Sequence, residues 1–210
     1  KVLRKKEGDQ IVLFDGKGNS CLGVISKIYR SEVQLDVIEM FEKSLRSGIK
    51  INLGQSLIKN DPFNLTIQKA TELGVTSFYP LITERSELKK KMKRNRKLRW
   101  NLIARGACEQ CGENWLPIIE DPIKLDRWAA NVDSKIKIVL YPNADNKMSD
   151  FEYEDSVSLA IGPEGDFSEY ELDSLTEKGF IPVTIGKRIL RAETAAISAI
   201  SSVRFSTKEF

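Results

Sequence analysis

The spacing of apolar and polar positions changes near residue 48. Before it, residues 10–14, 21–29 and 34–38 form short β-rich runs, and Asp15-Gly16-Lys17-Gly18-Asn19 is a turn signal between the first two. So few strands are marginal alone, so further strands are expected upstream of Lys1. Residues 1–48 read as a small β domain, with Ser47-Gly48 as the boundary. From Ile49 to Phe210 the rhythm becomes strand, loop, helix, repeated, which predicts a parallel sheet covered by helices.

The helices are punctuated. Asp61 is the expected cap of the first, Pro62 suits its first turn, Phe63, Ile67, Ala70 and Leu73 share a face, and Gly74 ends it. Residues 75–82 follow as a strand. Trp100, Ile103, Ala104, Ala107, Cys108 and Cys111 recur at helical spacing up to Gly112. Residues 135–141 and 156–161 are strands, the second apolar enough to be central. Ser168 and Glu171 form a capping box for a helix that stops at Gly179; residues 180–185 are the next strand. Residues 192–203 form an Ala- and Ser-rich helix suited to packing closely against another helix or another subunit.

Composition narrows the class. At 210 residues and 41% hydrophobic the chain has enough apolar surface for a core, which excludes disordered and collagen-like proteins. Net charge is only +3, but residues 84–99 hold nine basic and two acidic side chains, while residues 151–210 hold six basic and eleven acidic ones. That asymmetry points to a polyanion contact, although a solvated basic face has the same composition. Three cysteines in a chain of this size fit a reducing cytosol. No apolar run reaches the ~18 residues of a membrane span, and no leader is seen. Histidine is absent, which removes the usual general base and the commonest zinc ligand. Cys108-Glu-Gln-Cys111 has no second pair and reads as small helix-face residues, so no metal is expected.

Two glycine-containing loops each follow an apolar strand: Ile161-Gly162-Pro163-Glu164-Gly165-Asp166-Phe167 and Ile185-Gly186-Lys187-Arg188-Ile189-Leu190-Arg191. Ligands of open α/β sheets bind beyond the carboxyl ends of strands, where glycine lets backbone groups approach closely. Two such loops can form one pocket; ordinary turns have the same spacing. Neither loop fits a dinucleotide, P-loop or hydrolase fingerprint.

The run Leu159-Ala-Ile-Gly-Pro-Glu-Gly-Asp-Phe-Ser168, followed by Ile185-Gly-Lys-Arg-Ile-Leu-Arg-Ala-Glu-Thr-Ala-Ala196, resembles the signature of RsmE-type ribosomal RNA methyltransferases of the SPOUT superfamily. Gln68-Lys-Ala-Thr-Glu-Leu-Gly-Val75, Thr83-Glu-Arg-Ser86, Trp100, Glu109-Gln110, Lys1-Val-Leu-Arg4 and Gly8-Asp9 extend the resemblance over nearly the whole chain. It implies an α/β fold in which a trefoil-knotted methyltransferase domain follows a small PUA-like β-barrel, here incomplete at its N-terminus. It further implies a cytoplasmic homodimer that uses S-adenosylmethionine to methylate N3 of a uridine in small-subunit (16S) ribosomal RNA, free or in the assembled subunit.

By position, the cofactor is expected at Leu140, Ile161, Gly162, Glu164, Gly165, Ile185, Gly186, Ile189, Leu190, Arg191 and Thr194. The family commonly has Arg at the position of Glu113 and a second Gly at that of Asp166. Arg191 is the candidate for stabilising the uridine anion, and Glu164, Glu193 or water for taking the N3 proton. Glu193 also suits a helix start by its charge alone. RNA contacts are expected at Arg4, Arg85, Lys89, Lys90, Lys91, Lys93, Arg94, Arg96, Lys97 and Arg99. The alternatives are a non-catalytic RNA-binding assembly factor and a related knotted enzyme acting on another RNA, such as transfer RNA.

Overall fold

A computed structural model of the chain describes residues 5–46, 48–86 and 96–208. Ser47 of the expected boundary, the RNA candidates Arg4, Lys89, Lys90, Lys91, Lys93 and Arg94, and the Lys1–Arg4 motif lie outside the described residues. Two compact units emerge: Lys1–Arg46 with Gly112–Leu116, and Ser47–Cys111 with Pro117–Phe210.

The first unit is an antiparallel sheet of β1 (Gln10–Phe14), β2 (Ser20–Ile28) and β3 (Val33–Met40), with β2 central. Its β1–β2 turn is organised by Asp15, whose Oδ1 accepts from the backbone N–H of Lys17 (2.6 Å) and Asn19 (3.1 Å). The Asn19 side-chain bond, then the bond from the Lys17 backbone N–H, holds the Asp15 carboxyl below its usual range. Gly16 and Gly18 have φ of +75° and +91°, and a Cβ on either would strike Leu116 or Trp115 at 2.6 Å. The turn therefore needs glycine twice over, for its backbone and for the strip that packs on it. Trp115 donates from Nε1 to Ser44 O (3.1 Å) and lies under Lys43 and Arg46.

The second unit has β4 (Lys50–Ser56), α1 (Asn60–Glu72), β5 (Ser77–Ile82), α2 (Arg96–Cys111), β6 (Ile118–Ile119), β7 (Ile123–Lys124), α3 (Leu125–Asn131), β8 (Ile136–Leu140), β9 (Asn146–Lys147), β10 (Ser156–Ile161), α4 (Glu169–Glu177), β11 (Ile181–Thr184) and α5 (Ala192–Ser206). The strands pair in parallel in the order β6-β5-β4-β10-β8-β11-β9, with β7 also on β5. Alternate residues of the central strands feed two cores. Ile51, Leu53, Val157 and Leu159 pack with Phe63 of α1, Trp100 of α2 and Ile200 of α5. Val139 and Ala160 pack with Trp128 of α3 and Leu175 of α4. Fully burying Phe63, Phe78 or Phe180 contributes ~1.5–3 kcal/mol each.

Helix α1 starts two residues earlier than expected. Lys59, not Asp61, is its N-cap, without a side-chain bond, and Asp61 sits in the first turn, where the helix dipole favours its charge. At the other end Gly74 (φ +74°) closes the helix, with Val75 N–H donating to Ala70 O at 2.9 Å. Buried Arg204 of α5 donates to the carbonyls of Leu73 and Gly74, tying α5 to that terminus. Among the described residues no helix is long and apolar enough to cross a membrane. Cys108 is buried on α2 and Cys111 exposed.

Candidate functional site

Because β10, β8 and β11 are adjacent and parallel, their carboxyl ends at Ile161, Leu140 and Thr184 share one edge of the sheet. The loops leaving that edge, with the starts of α1 and α5, enclose a cavity of about 480 Å³. That volume lies within the range of small-molecule sites. Leu140, Ile161, Gly162, Glu164, Ile185, Gly186, Ile189, Leu190, Arg191 and Glu193 all line it, so residues far apart in sequence meet on one wall. Gly165 and Thr194 are not on that wall: Gly165 lies under Arg85, and Thr194 is exposed in the first turn of α5.

The cavity also takes residues not expected from the sequence: Lys59 and Pro62 at the start of α1, Tyr141 and Pro142 after β8, Asp166, Val183, Thr184 and Arg188, and Ala192 and Ala195 of α5. The α1 start follows a strand, as ligand sites of such sheets do, but it reaches this edge only because β4 pairs with β10. Asp166 was marked only by standing where glycine is usual.

The loop after β10 is a built structure. Asp166 N–H donates to Pro163 O (3.0 Å), and Asp166 has φ +59°, unusual for a residue with a side chain. Its Oδ1 accepts from Phe167 N–H at 2.8 Å. Burial pushes the Asp166 carboxyl up, against the opposing Phe167 hydrogen bond and the Arg85 charge. Ser168 then caps α4, with Glu171 N–H donating to its Oγ (3.3 Å) and Ser168 N–H to Glu171 Oε2 (3.1 Å), the expected capping box.

The loop after β11 is simpler. Gly186 N–H donates to Thr184 Oγ1 (3.2 Å), whose hydroxyl donates to Gly186 O (3.1 Å). Gly186 has φ +147° and open space around a Cβ position. Arg191, exposed, is the N-cap of α5 and Glu193 lies in its first turn. Lys59, Arg188 and Arg191 balance Glu164, Asp166 and Glu193 around the cavity, so the wall offers both signs of charge near apolar Leu140, Ile161, Ile185 and Leu190.

Of the described RNA candidates, Arg85 donates from Nη1 to Gly165 O (2.7 Å) and Phe167 O (3.4 Å). Lys97 pairs with Asp121 (2.9 Å). Arg99 is exposed on α2 beside a shallow groove against α1. Arg96 begins α2, half-buried, with Nη1 lacking a hydrogen-bond partner among the described residues.

A ligand cavity at the carboxyl edge of a parallel sheet, in a chain that also carries a separate small β unit, defines a two-part α/β protein. A family model for the RNA methyltransferase domain matches residues 45–204, and one for the RNA methyltransferase PUA domain matches residues 1–38. The ribosomal RNA small subunit methyltransferase E of Buchnera aphidicola (Schizaphis graminum) is 35% identical over 97% of this chain and 85% of that protein. The Bacillus subtilis protein of the same name is 31% identical over 99% and 86%. A Legionella pneumophila protein solved with bound S-adenosylmethionine superposes with a TM-score of 0.93 at 35% identity, covering 98% of this chain and 86% of that one. The methyltransferase E of Neisseria gonorrhoeae, also solved with S-adenosylmethionine, gives 0.88 at 33%, covering 97% and 86%. The chain belongs to the ribosomal RNA small subunit methyltransferase E family.

Proposed function

We propose that this protein binds S-adenosylmethionine in the cavity at the carboxyl edge of β10, β8 and β11 and methylates N3 of a uridine in small-subunit ribosomal RNA. The convergence of the two glycine loops on one cavity carries this reading. The fit to the cofactor is chemical as well as spatial. Apolar Leu140, Ile161, Ile185 and Leu190 suit an adenine ring, and Gly186 keeps one rim clear where a Cβ would stand in open space. Glu164, Asp166 and Glu193 offer acceptors for hydroxyl and ammonium groups.

When bound, the sulfonium supplies an electrophilic methyl, and the C–S bond breaks as the N3–C bond forms. Displacement requires nucleophile, carbon and sulfur in line, so positioning supplies much of the acceleration. Arg191 stabilises the negative charge that the uridine spreads over O2 and O4 once N3 gives up its proton. Glu164, Glu193 or a water takes that proton; both carboxylates lie on the same cavity wall as Arg191. In a paired uridine the N3 edge is engaged in Watson–Crick hydrogen bonds, so the target uridine is unpaired or drawn out of its stack. Lys89, Lys90, Lys91, Lys93 and Arg94, with Arg96, Lys97 and Arg99, hold phosphates of the surrounding RNA. Arg4 belongs to the RNA-binding β unit.

The trefoil knot and the homodimer belong to the same reading. β11 pairs with β8 on one side and β9 on the other, so the chain from β8 to β10 flanks it on both sides before α5 departs. That arrangement supports threading of the C-terminal segment through the 141–155 connection. On α5, Ser201, Ser202 and the 78%-exposed Phe205 border an open groove, which supports a second copy packing there. The decisive experiment is calorimetry with S-adenosylmethionine, followed by incubation with labelled cofactor and small ribosomal subunits lacking the modification, then mapping of the methylated nucleotide. Cofactor binding with label on one uridine N3 is expected. RNA binding without cofactor binding would leave only a non-catalytic assembly factor, and label on transfer RNA would reassign the substrate.

A further inference from the structure

Arg85 does not line the cavity, yet it grips one of its loops from outside. Its Nη1 donates to the carbonyls of Gly165 and Phe167, which flank Asp166 on either side. Its side-chain stem lies over Gly165, with Cδ 3.5 Å from where a Cβ would project. Asp166 is the residue held at positive φ, and it and Glu164 line the cavity.

The base from which Arg85 reaches is itself fixed. Thr83 and Ser86 are buried and close their turn on each other: Thr83 N–H donates to Ser86 Oγ (2.8 Å), and Ser86 N–H to Thr83 O (3.3 Å). Glu171 joins this turn to the end of the loop, accepting from Glu84 N–H through Oε1 (2.7 Å) and from Ser168 N–H through Oε2 (3.1 Å). Turn and loop thus form one hydrogen-bonded body, clamped at Ser168 by a carboxylate and at Gly165 and Phe167 by a guanidinium. A charge-assisted bond to a carbonyl is among the stronger bonds an exposed side chain can make.

We propose that Arg85 is a positioning residue: it sets the 162–167 loop, and with it Glu164 and Asp166, in the conformation that receives the cofactor. This rests on the reading of the cavity as the S-adenosylmethionine site. A surface arginine beside a basic stretch would otherwise be assigned to RNA. The two roles differ in what they predict. A positioning residue changes cofactor affinity without RNA present, whereas a phosphate contact changes RNA affinity and its salt dependence.

The experiment uses the full chain with Arg85→Met, which keeps the stem over Gly165 and removes the donors, and Arg85→Lys, which restores one donor. Thermal melts establish that each variant is folded. Calorimetry with S-adenosylmethionine alone is expected to show affinity falling about tenfold in Arg85→Met, close to the value of one hydrogen bond to a charged group, and partly restored in Arg85→Lys. In methyl transfer the KM for the cofactor rises by a similar factor while kcat at saturating cofactor is nearly unchanged. The slope of RNA affinity against salt stays at the wild-type value. Wild-type cofactor affinity in Arg85→Met, with a salt slope reduced by about one, overturns the proposal and makes Arg85 a phosphate contact. Failure of the wild-type chain to bind S-adenosylmethionine is a separate result, which removes the cofactor reading itself.

Discussion

The two glycine loops of the cavity are built on opposite plans. The loop after β10 is braced at both ends: Gly162, Pro163, Phe167 and Ser168 are buried, Arg85 and Glu171 grip it, and an internal turn closes it, leaving Glu164 and Gly165 exposed at its tip. The loop after β11 has little of this. Gly186, Lys187, Arg188 and Ile189 are exposed, Ile189 by 87%, and apart from the Ala195 N–H bond to Arg191 O that opens α5, its described hydrogen bonds reach no further than Thr184 and Gly186. One wall of the cavity is thus preformed, and the other has few contacts to lose. Segments with few buried contacts are those that open and close at low free-energy cost. On the proposed reading, the difference suits the first loop to fixed contacts with the cofactor, and the second to adapting to the reacting base beside Arg191 as well as covering the cofactor.

Removing a group from the adaptable wall tests that assignment most severely. Arg191→Ala is expected to lower single-turnover methyl transfer by about a hundredfold, as losing one donor to a developing oxyanion does, with calorimetric affinity for S-adenosylmethionine little changed. Equal turnover in variant and wild type removes Arg191 from the chemistry. Next in size are two glycine substitutions that fail for different reasons. In Gly162→Ala the new Cβ lies 3.0 Å from Asp166 Oδ1 and 3.3 Å from Phe167 N, against a loop that cannot retreat, so cofactor affinity falls roughly tenfold. In Gly186→Ala the space is open but φ is +147°, so the cost is backbone strain of about 1–3 kcal/mol. Adding Asp166→Gly removes the nearest atom, so in urea unfolding it restores much of the stability lost in Gly162→Ala, but none of that lost in Gly186→Ala. Equal rescue of both would mean the loops are not built differently.

Much of this contrast was hidden in the sequence. Local chemistry was readable: the Ser168–Glu171 capping box and the stops at Gly74, Gly112 and Gly179 are encoded within a few residues, and all three glycines have positive φ. The two-residue strands β6, β7 and β9 carry no periodicity and exist only because a neighbour pairs with them. The cavity was half-legible, because loops after apolar strands mark a sheet edge, while the order of strands along that edge is a tertiary fact. The Arg85 brace was illegible, since its acceptors lie about eighty residues away in the chain. The return of Gly112–Leu116 to the first unit was equally hidden, because the bridge between Lys17 and Trp115 leaves no mark on either segment.

The brace at the far end of the first loop gives a smaller effect. Glu171→Ala leaves the N–H groups of Glu84 and Ser168 without their acceptor and is expected to cost about 1–2 kcal/mol in urea unfolding. Glu171→Gln keeps one oxygen and loses less. If Glu171→Ala is as stable as wild type, the turn and the loop are not one body.

The smallest expected effect is electrostatic and confined to Asp166. Burial raises its folded-state pKa above the unfolded value near 3.8, so across the interval between the two the folded chain holds a proton that the unfolded chain has released. Stability associated with this group is therefore complete below about pH 3.8 and is lost as pH rises through the raised folded value, the reverse of a carboxylate in an ion pair. Asp166→Asn keeps an acceptor for Phe167 N–H and has no proton to exchange, so urea unfolding should show its stability gaining on wild type as pH rises through that window. The contrast lies in sign rather than size. A variant that instead falls behind wild type with rising pH would mean that attraction to Arg85 outweighs burial, and that the braced loop holds its carboxylate as an ion pair.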